Sequence, residues 1–147
     1  MTTTRSRAGS QTRVLALATL AALGLSSAVA ADWPSFKPGV WTFERTMTGT
    51  GAPAGKVSST ECVDPTADQE KQHDMLAKAG CQFTPITKNG KTYRYSATCK
   101  MGGMTSTSDS VLEVLSDEAY TLTVDSTVNG TTTHEVLQAR RTGDCKK

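Results

Sequence analysis

The chain has 147 residues, with 16 Lys and Arg against 14 Asp and Glu, a formal net charge of +2. Three of those cations, Arg5, Arg7 and Arg13, fall in the first thirteen residues, which hold no acid. Without residues 1–30 the balance is 13 cations to 14 acids, a net of −1, which excludes the basic patch that a nucleic-acid partner requires.

The first predicted element is a leader. Val14 to Leu25 is an apolar run broken only by Thr19 and Gly24, and Ala28-Val29-Ala30 closes it with small residues at the −3 and −1 positions. A basic start, an apolar middle and a small-residue end are the layout of a secretory signal peptide over residues 1–30. Thr19, Ser26 and Ser27 interrupt a stretch barely long enough to span a bilayer, so no stable membrane insertion is expected. Residues 31–147 are then read as a single disulfide-bonded, β-rich domain, exported to the periplasm as a soluble monomer.

Asp32 to Gly39 reads as an extended lead-in, because Pro34 and Pro38 neither donate to a ladder nor continue a helix. From Val40 the period is two, with Trp41, Phe43 and Met47 on one face, interrupted by Arg45, and Thr42, Glu44 and Thr46 on the other. Gly49 to Gly55 is a loop, and Lys56 to Val63 a second strand. A helix follows: Asp64 caps it, Pro65 opens it with φ already set, and Gly80 stops it. Its apolar face is thin (Met75, Leu76, Ala79), which predicts a helix lying on a sheet. Gln82–Thr87 and Lys91–Lys100 flank Asn89-Gly90, which predicts a type I′ hairpin turn. Thr105–Leu115 is one more strand. Tyr120 to Val128 and Thr131 to Arg140 form a last hairpin about Asn129-Gly130. The fold class is therefore mainly β: an antiparallel meander of about seven strands, a curved sheet or partly open barrel, with one helix. Trp41, Phe43, Tyr93, Tyr95, Leu122 and Val124 are the expected core.

Cys62, Cys81, Cys99 and Cys145 are separated by 18, 17 and 45 residues, with none of the close pairs a thiolate metal site wants. Behind an export signal they read as two disulfides. Of three possible connectivities, Cys62–Cys81 with Cys99–Cys145 is favoured, because the first pair brackets the helix. Cys62–Cys99 with Cys81–Cys145 is the alternative.

Several of these residues together resemble a known family. Pro38-Gly39-Val40-Trp41, Thr60-Glu61-Cys62 before the helix, Gly80-Cys81 after it, Tyr95 to Cys99, and the closing Arg140-Arg141-Thr142-Gly143-Asp144-Cys145 come in the right order. The set resembles the bacterial exported family catalogued as domain of unknown function 3617, over nearly all of residues 31–147. That resemblance implies a small envelope protein of proteobacterial type. It supplies no activity and no catalytic residues.

Other candidate chemistry is sparse. Met101-Gly-Gly-Met104 and His73-Asp-Met75 are soft-ligand spacings of the kind Cu(I) accepts, which makes a periplasmic copper carrier the alternative function. Against it, Met101 and Met104 flank a Gly-Gly turn, and Met75 is expected to face the sheet. His73 and His134 read as solvated surface residues, and no nucleophile, base and acid assemble from the pattern. The sequence thus points to a non-enzymatic envelope module, without a cofactor, that binds a small or apolar ligand or another envelope component.

Overall fold

The computed structural model describes residues 29–30, 32–50 and 54–146. The leader expected over residues 1–30 lies outside the described residues except for Val29 and Ala30. The elements are β1 (Val29–Ala30), β2 (Gly39–Gly49), β3 (Gly55–Val63), α1 (Pro65–Lys78), β4 (Cys81–Phe83), β5 (Thr87–Asn89), β6 (Thr92–Met101), β7 (Met104–Ser116), β8 (Ala119–Val128) and β9 (Thr131–Gly143). Every pairing is antiparallel, in the order β1-β5-β6-β7-β8-β9-β2-β3, with β4 alongside β6 on the edge it shares with β5. The sheet is open. β6 to β9 form the expected meander, and β9 returns to pair along the whole of β2.

Alternation along each strand and the cross-strand register together sort the side chains into two faces. One face carries Trp41 and Phe43 of β2, Ala139 and Leu137 of β9, Tyr120 and Leu122 of β8, Leu112 of β7 and Tyr93 of β6. Trp41, Leu112, Tyr120, Tyr93 and Ala139 are its buried centre, and Phe36 joins them from the lead-in. Phe36 packs on Tyr120 at 4.7 Å and edge-on to Trp41 at 5.9 Å between ring centroids. The lead-in is thus part of the core. Its backbone is held as well: Phe36 N donates to Thr66 Oγ1 at 2.8 Å, and Lys37 N donates to the Asp117 carbonyl at 2.9 Å. Of the expected core, Trp41 and Tyr93 are buried, while Phe43 and Leu122 are half-buried at its rim.

The helix begins as expected, with Asp64 Oδ1 accepting from the backbone N–H groups of Thr66 and Ala67 at 3.1 and 3.2 Å. Its inward face differs from the expected one. Met75 is 55% exposed and points away from the sheet. Gln69, Gln72, His73 and Leu76 face it instead. The reason is register: an inward face that starts from buried Pro65 repeats at 69, 72, 73 and 76, a helical period that leaves 75 outside.

Two strand expectations are corrected. Gln82–Thr87 is two short strands rather than one, because Pro85 cannot donate to the ladder; Thr84 bridges the gap by donating its N–H to the Ser96 carbonyl and accepting from Ser96 N. At the first hairpin the register pairs Asn89 with Thr92, so the turn residues are Gly90-Lys91. Gly90 alone carries positive φ, at 59°, the pattern of a type II′ turn rather than type I′. Asn129-Gly130 is the expected I′ turn, with φ of 49° and 80°.

The disulfides are Cys62–Cys145 and Cys81–Cys99, the third connectivity and neither of the two expected. A 14-residue helix rises about 21 Å, so α1 holds Cys62 and Cys81 too far apart to bond. Each instead bonds to a strand neighbour. Cys81 lies directly opposite Cys99 in the β4–β6 register. Cys62 and Gly143 both pair with Val40 from opposite sides, so the tail beyond Gly143 needs to step only across β2.

Candidate functional site

The inner face bends around the helix. Side chains from β2, β4, β6, β7, β8 and β9 all line one space of about 340 Å³ beneath α1, and a second space of about 590 Å³ opens on the other flank of the helix. The two share Arg45, Gln69, Gln72 and Leu137, so they are two lobes of one groove that runs under the helix. α1 is tethered at both ends, with Cys62 two residues before its cap and Cys81 three residues after its last turn.

The walls grade from apolar to polar. Leu122, Val124 and Leu137 floor the smaller lobe, and aromatic rings close its end: Trp33 is edge-on to both His73 (5.7 Å) and Tyr95 (5.2 Å), and His73 lies 4.0 Å from Phe83. Phe43, Met47 and Tyr120 form much of the larger lobe, with Glu61 and Asp68 at its margin. Arg45 Nε pairs with Glu135 Oε1 at 3.0 Å where the lobes meet. Burial raises the Tyr95 hydroxyl above its ordinary range, with a smaller opposing pull from Ser110. Tyr120 is raised for the same reason, opposed by a hydrogen bond from the Gln69 amide. Gln69 Oε1 is buried with no hydrogen-bond partner among the described residues.

The residues singled out in the sequence do not gather here as a set. His73 reaches the groove, where it is an aromatic wall rather than a solvated side chain. Met101 and Met104 face each other across Gly102-Gly103 at a hairpin tip, 47% and 53% exposed, and neither lines the groove. With Met75 turned outward, no observation joins the copper ligands. All four cysteines are in disulfides, and Cys99 also lines the smaller lobe. Among the groove residues that the sequence did not mark are Gln69, Gln72 and Glu135. Arg45 interrupting the apolar face of its strand was the one legible sign of them.

On the opposite face a polar row crosses the sheet, pairing Ser96, Asp109, Asp125, His134 and Thr48 strand by strand. His134 Nδ1 lies 2.6 Å from Asp125 Oδ1, and Ser96 Oγ donates to Asp109 Oδ1 at 2.5 Å. The serine is therefore bonded to a carboxylate and not to the imidazole. No group of three or more His, Cys, Asp or Glu side chains among the described residues is disposed to hold a metal ion.

A family model described as "Protein of unknown function (DUF3617)" matches residues 36–145, and the chain belongs to that family. The match begins at the core residue Phe36 and ends at the second cysteine of the longer disulfide loop. No curated protein and no solved structure matches the chain. No helix among the described residues is long and apolar enough to cross a membrane.

Proposed function

We propose that this protein is an exported, non-enzymatic envelope module that holds a small apolar ligand in the groove between α1 and the inner face of the sheet. One observation carries the reading: the helix covers an apolar floor with Gln69, Gln72 and His73 and leaves about 340 and 590 Å³ unfilled on its two flanks. Concave, partly apolar clefts of a few hundred cubic ångströms are where proteins hold small ligands, and the groove under α1 is of that kind. Two disulfides fit an oxidising compartment, as does the leader pattern of residues 1–30. The non-enzymatic reading rests on the polar row, where serine and histidine each face a separate aspartate.

Native mass spectrometry of protein freshly purified from a periplasmic fraction tests this. A bound small molecule that is lost when Leu122 or Leu137 is replaced by Trp supports the reading. A chain that neither carries a molecule nor binds apolar probes refutes it. The same spectrum gives the mass of the mature chain: cleavage after Ala30 is expected, and full-length chain in the membrane pellet would refute export as a soluble protein.

A further inference from the structure

The sheet screens one of its edges and leaves the other bare. On one side β6 is covered by β4 and β5, each three residues long and separated at Pro85. On the other side β3 is last in the order, with no strand beyond it among the described residues. Its nine residues pair with β2 without a bulge and include no Pro, and its one lysine, Lys56, is drawn back onto Glu44 Oε2 at 3.0 Å. A long, regular edge with unpaired N–H and C=O groups is a template for another strand. Val57, on the inner face of this edge, is 66% exposed, more than any other large apolar side chain among the described residues.

We infer that β3 pairs antiparallel with β3 of a second copy of this chain, about a two-fold axis through Ser59. Gly55–Val63 is centred on that residue, so the whole strand is used: Gly55 meets Val63, Lys56 meets Cys62, Val57 meets Glu61, Ser58 meets Thr60, and Ser59 meets itself. No like charges lie opposite one another in this register, whereas centring the pair on Lys56 or on Glu61 would set like against like. Val57 gains cover, lying opposite the partner subunit's Glu61 and diagonal to the partner subunit's Val63. The backbone supplies about one hydrogen bond per residue paired. The second copy also completes the groove. Val57, Ser59 and Glu61 line the larger lobe from the edge strand, so the lobe ends where the sheet ends. A two-fold axis perpendicular to the sheet keeps the same face inward in both copies. Both helices then lie on one side of a continuous sheet, and the two larger lobes face each other across the paired β3 strands, each walled by the partner subunit's Val57 and the partner subunit's Glu61.

The readout is mass, so the inference is tested whether or not the groove holds a molecule. The disulfide-intact protein is followed by sedimentation velocity over a concentration series at low ionic strength, where exposed charges are least screened. A reversible dimer is expected. Ser59→Lys and Ser59→Asp each set like charges opposite one another at the axis, and each should raise the dimer dissociation constant about fivefold or more. An equimolar mixture of the two sets opposite charges at the axis and should restore association. Ser59 is exposed in the single copy, so both variants should fold, which thermal melts at low protein concentration check. Val57→Lys places a cation opposite the partner subunit's Glu61 and should keep or tighten the dimer. A chain that stays monomeric up to about 1 mM overturns the inference. So does a dimer that both Ser59 variants leave intact, or a loss of association that mixing them fails to restore.

Discussion

Trp41 donates its indole N–H to the carbonyl of Lys37, four residues earlier, at 3.0 Å, and the ring itself is completely buried. One side chain thus fixes where the lead-in ends and the sheet begins. The same lead-in residue is tied at its far end, since Lys37 Nζ reaches Asp117 at 3.0 Å in the β7–β8 turn. Trp41 has the aromatic contacts to match: Phe36, Phe43 and Tyr120 all lie within 6.5 Å between ring centroids.

Replacing Trp41 by Ala should therefore cost about 3–5 kcal/mol in chemical denaturation, the range for emptying a buried aromatic site. Trp41→Phe keeps most of the apolar area but leaves the Lys37 carbonyl without its donor, so its cost should be smaller and clearly above zero. A loss under about 1 kcal/mol for the alanine variant would contradict the burial of the ring.

The two disulfides should contribute unequally. Cys62–Cys145 closes a separation of 83 residues and Cys81–Cys99 one of 18. The chain-entropy model gives about 4.5 and about 3 kcal/mol for loops of those lengths. Double Cys→Ala variants of each pair, compared by urea denaturation, should rank in that order. Non-reducing peptide mapping should return these two cross-links and no Cys62–Cys81 peptide.

Much of this architecture was legible in the sequence. Period-two runs over β2, β6 and β8 have one strong local signal each, and so does the Asp64-Pro65 helix entry. What was not legible depends on partners far along the chain. Phe36 reads as lead-in because nothing local shows that Tyr120 will pack on it from 84 residues away. The disulfides were misassigned for the same reason: Cys62 and Cys81 are neighbours around a helix in sequence, but the length of that helix separates them and the β4–β6 register supplies Cys99. The groove was nearly invisible. Gln69 and Gln72 are ordinary helix residues until the sheet curves beneath them, and only Arg45 broke the pattern of its strand.

Gly49 should resist substitution. It sits at the end of β2 with φ of 119°, and a Cβ there would come within 2.4 Å of the Thr132 carbonyl oxygen on β9. Both the backbone angle and the contact penalise an L side chain, so Gly49→Ala should destabilise by about 1–3 kcal/mol. Gly130→Ala has the same kind of positive φ but open space around the site, and should cost less. Equal losses for the two, measured by thermal denaturation, would show that crowding against β9 contributes nothing.

Stability should fall at alkaline pH, and two buried phenols should account for part of the slope. Burial raises the folded-state pKa of Tyr95 and of Tyr120 above the ordinary value of 10.0. The folded protein therefore holds those protons more tightly than the unfolded chain does. Below pH 10 both states are protonated and the contribution is fully present; above it the unfolded chain releases protons first, and stability is lost as pH rises through the folded values. Lys37 acts in the same direction, because its hydrogen bond to Asp117 raises it above 10.5. It is fully exposed, so its share should be erased by salt. Denaturation curves at high ionic strength between pH 8 and pH 11 should therefore isolate the tyrosines. Tyr95→Phe and Tyr120→Phe should each flatten the alkaline limb without steepening it elsewhere. Each variant carries a second effect, because Tyr120→Phe removes the hydroxyl beside the Gln69 amide and Tyr95→Phe the one beside the buried Ser110. Both should therefore lose stability at neutral pH as well, and a loss indistinguishable from zero in either variant would mean that its neighbour draws nothing from that hydroxyl.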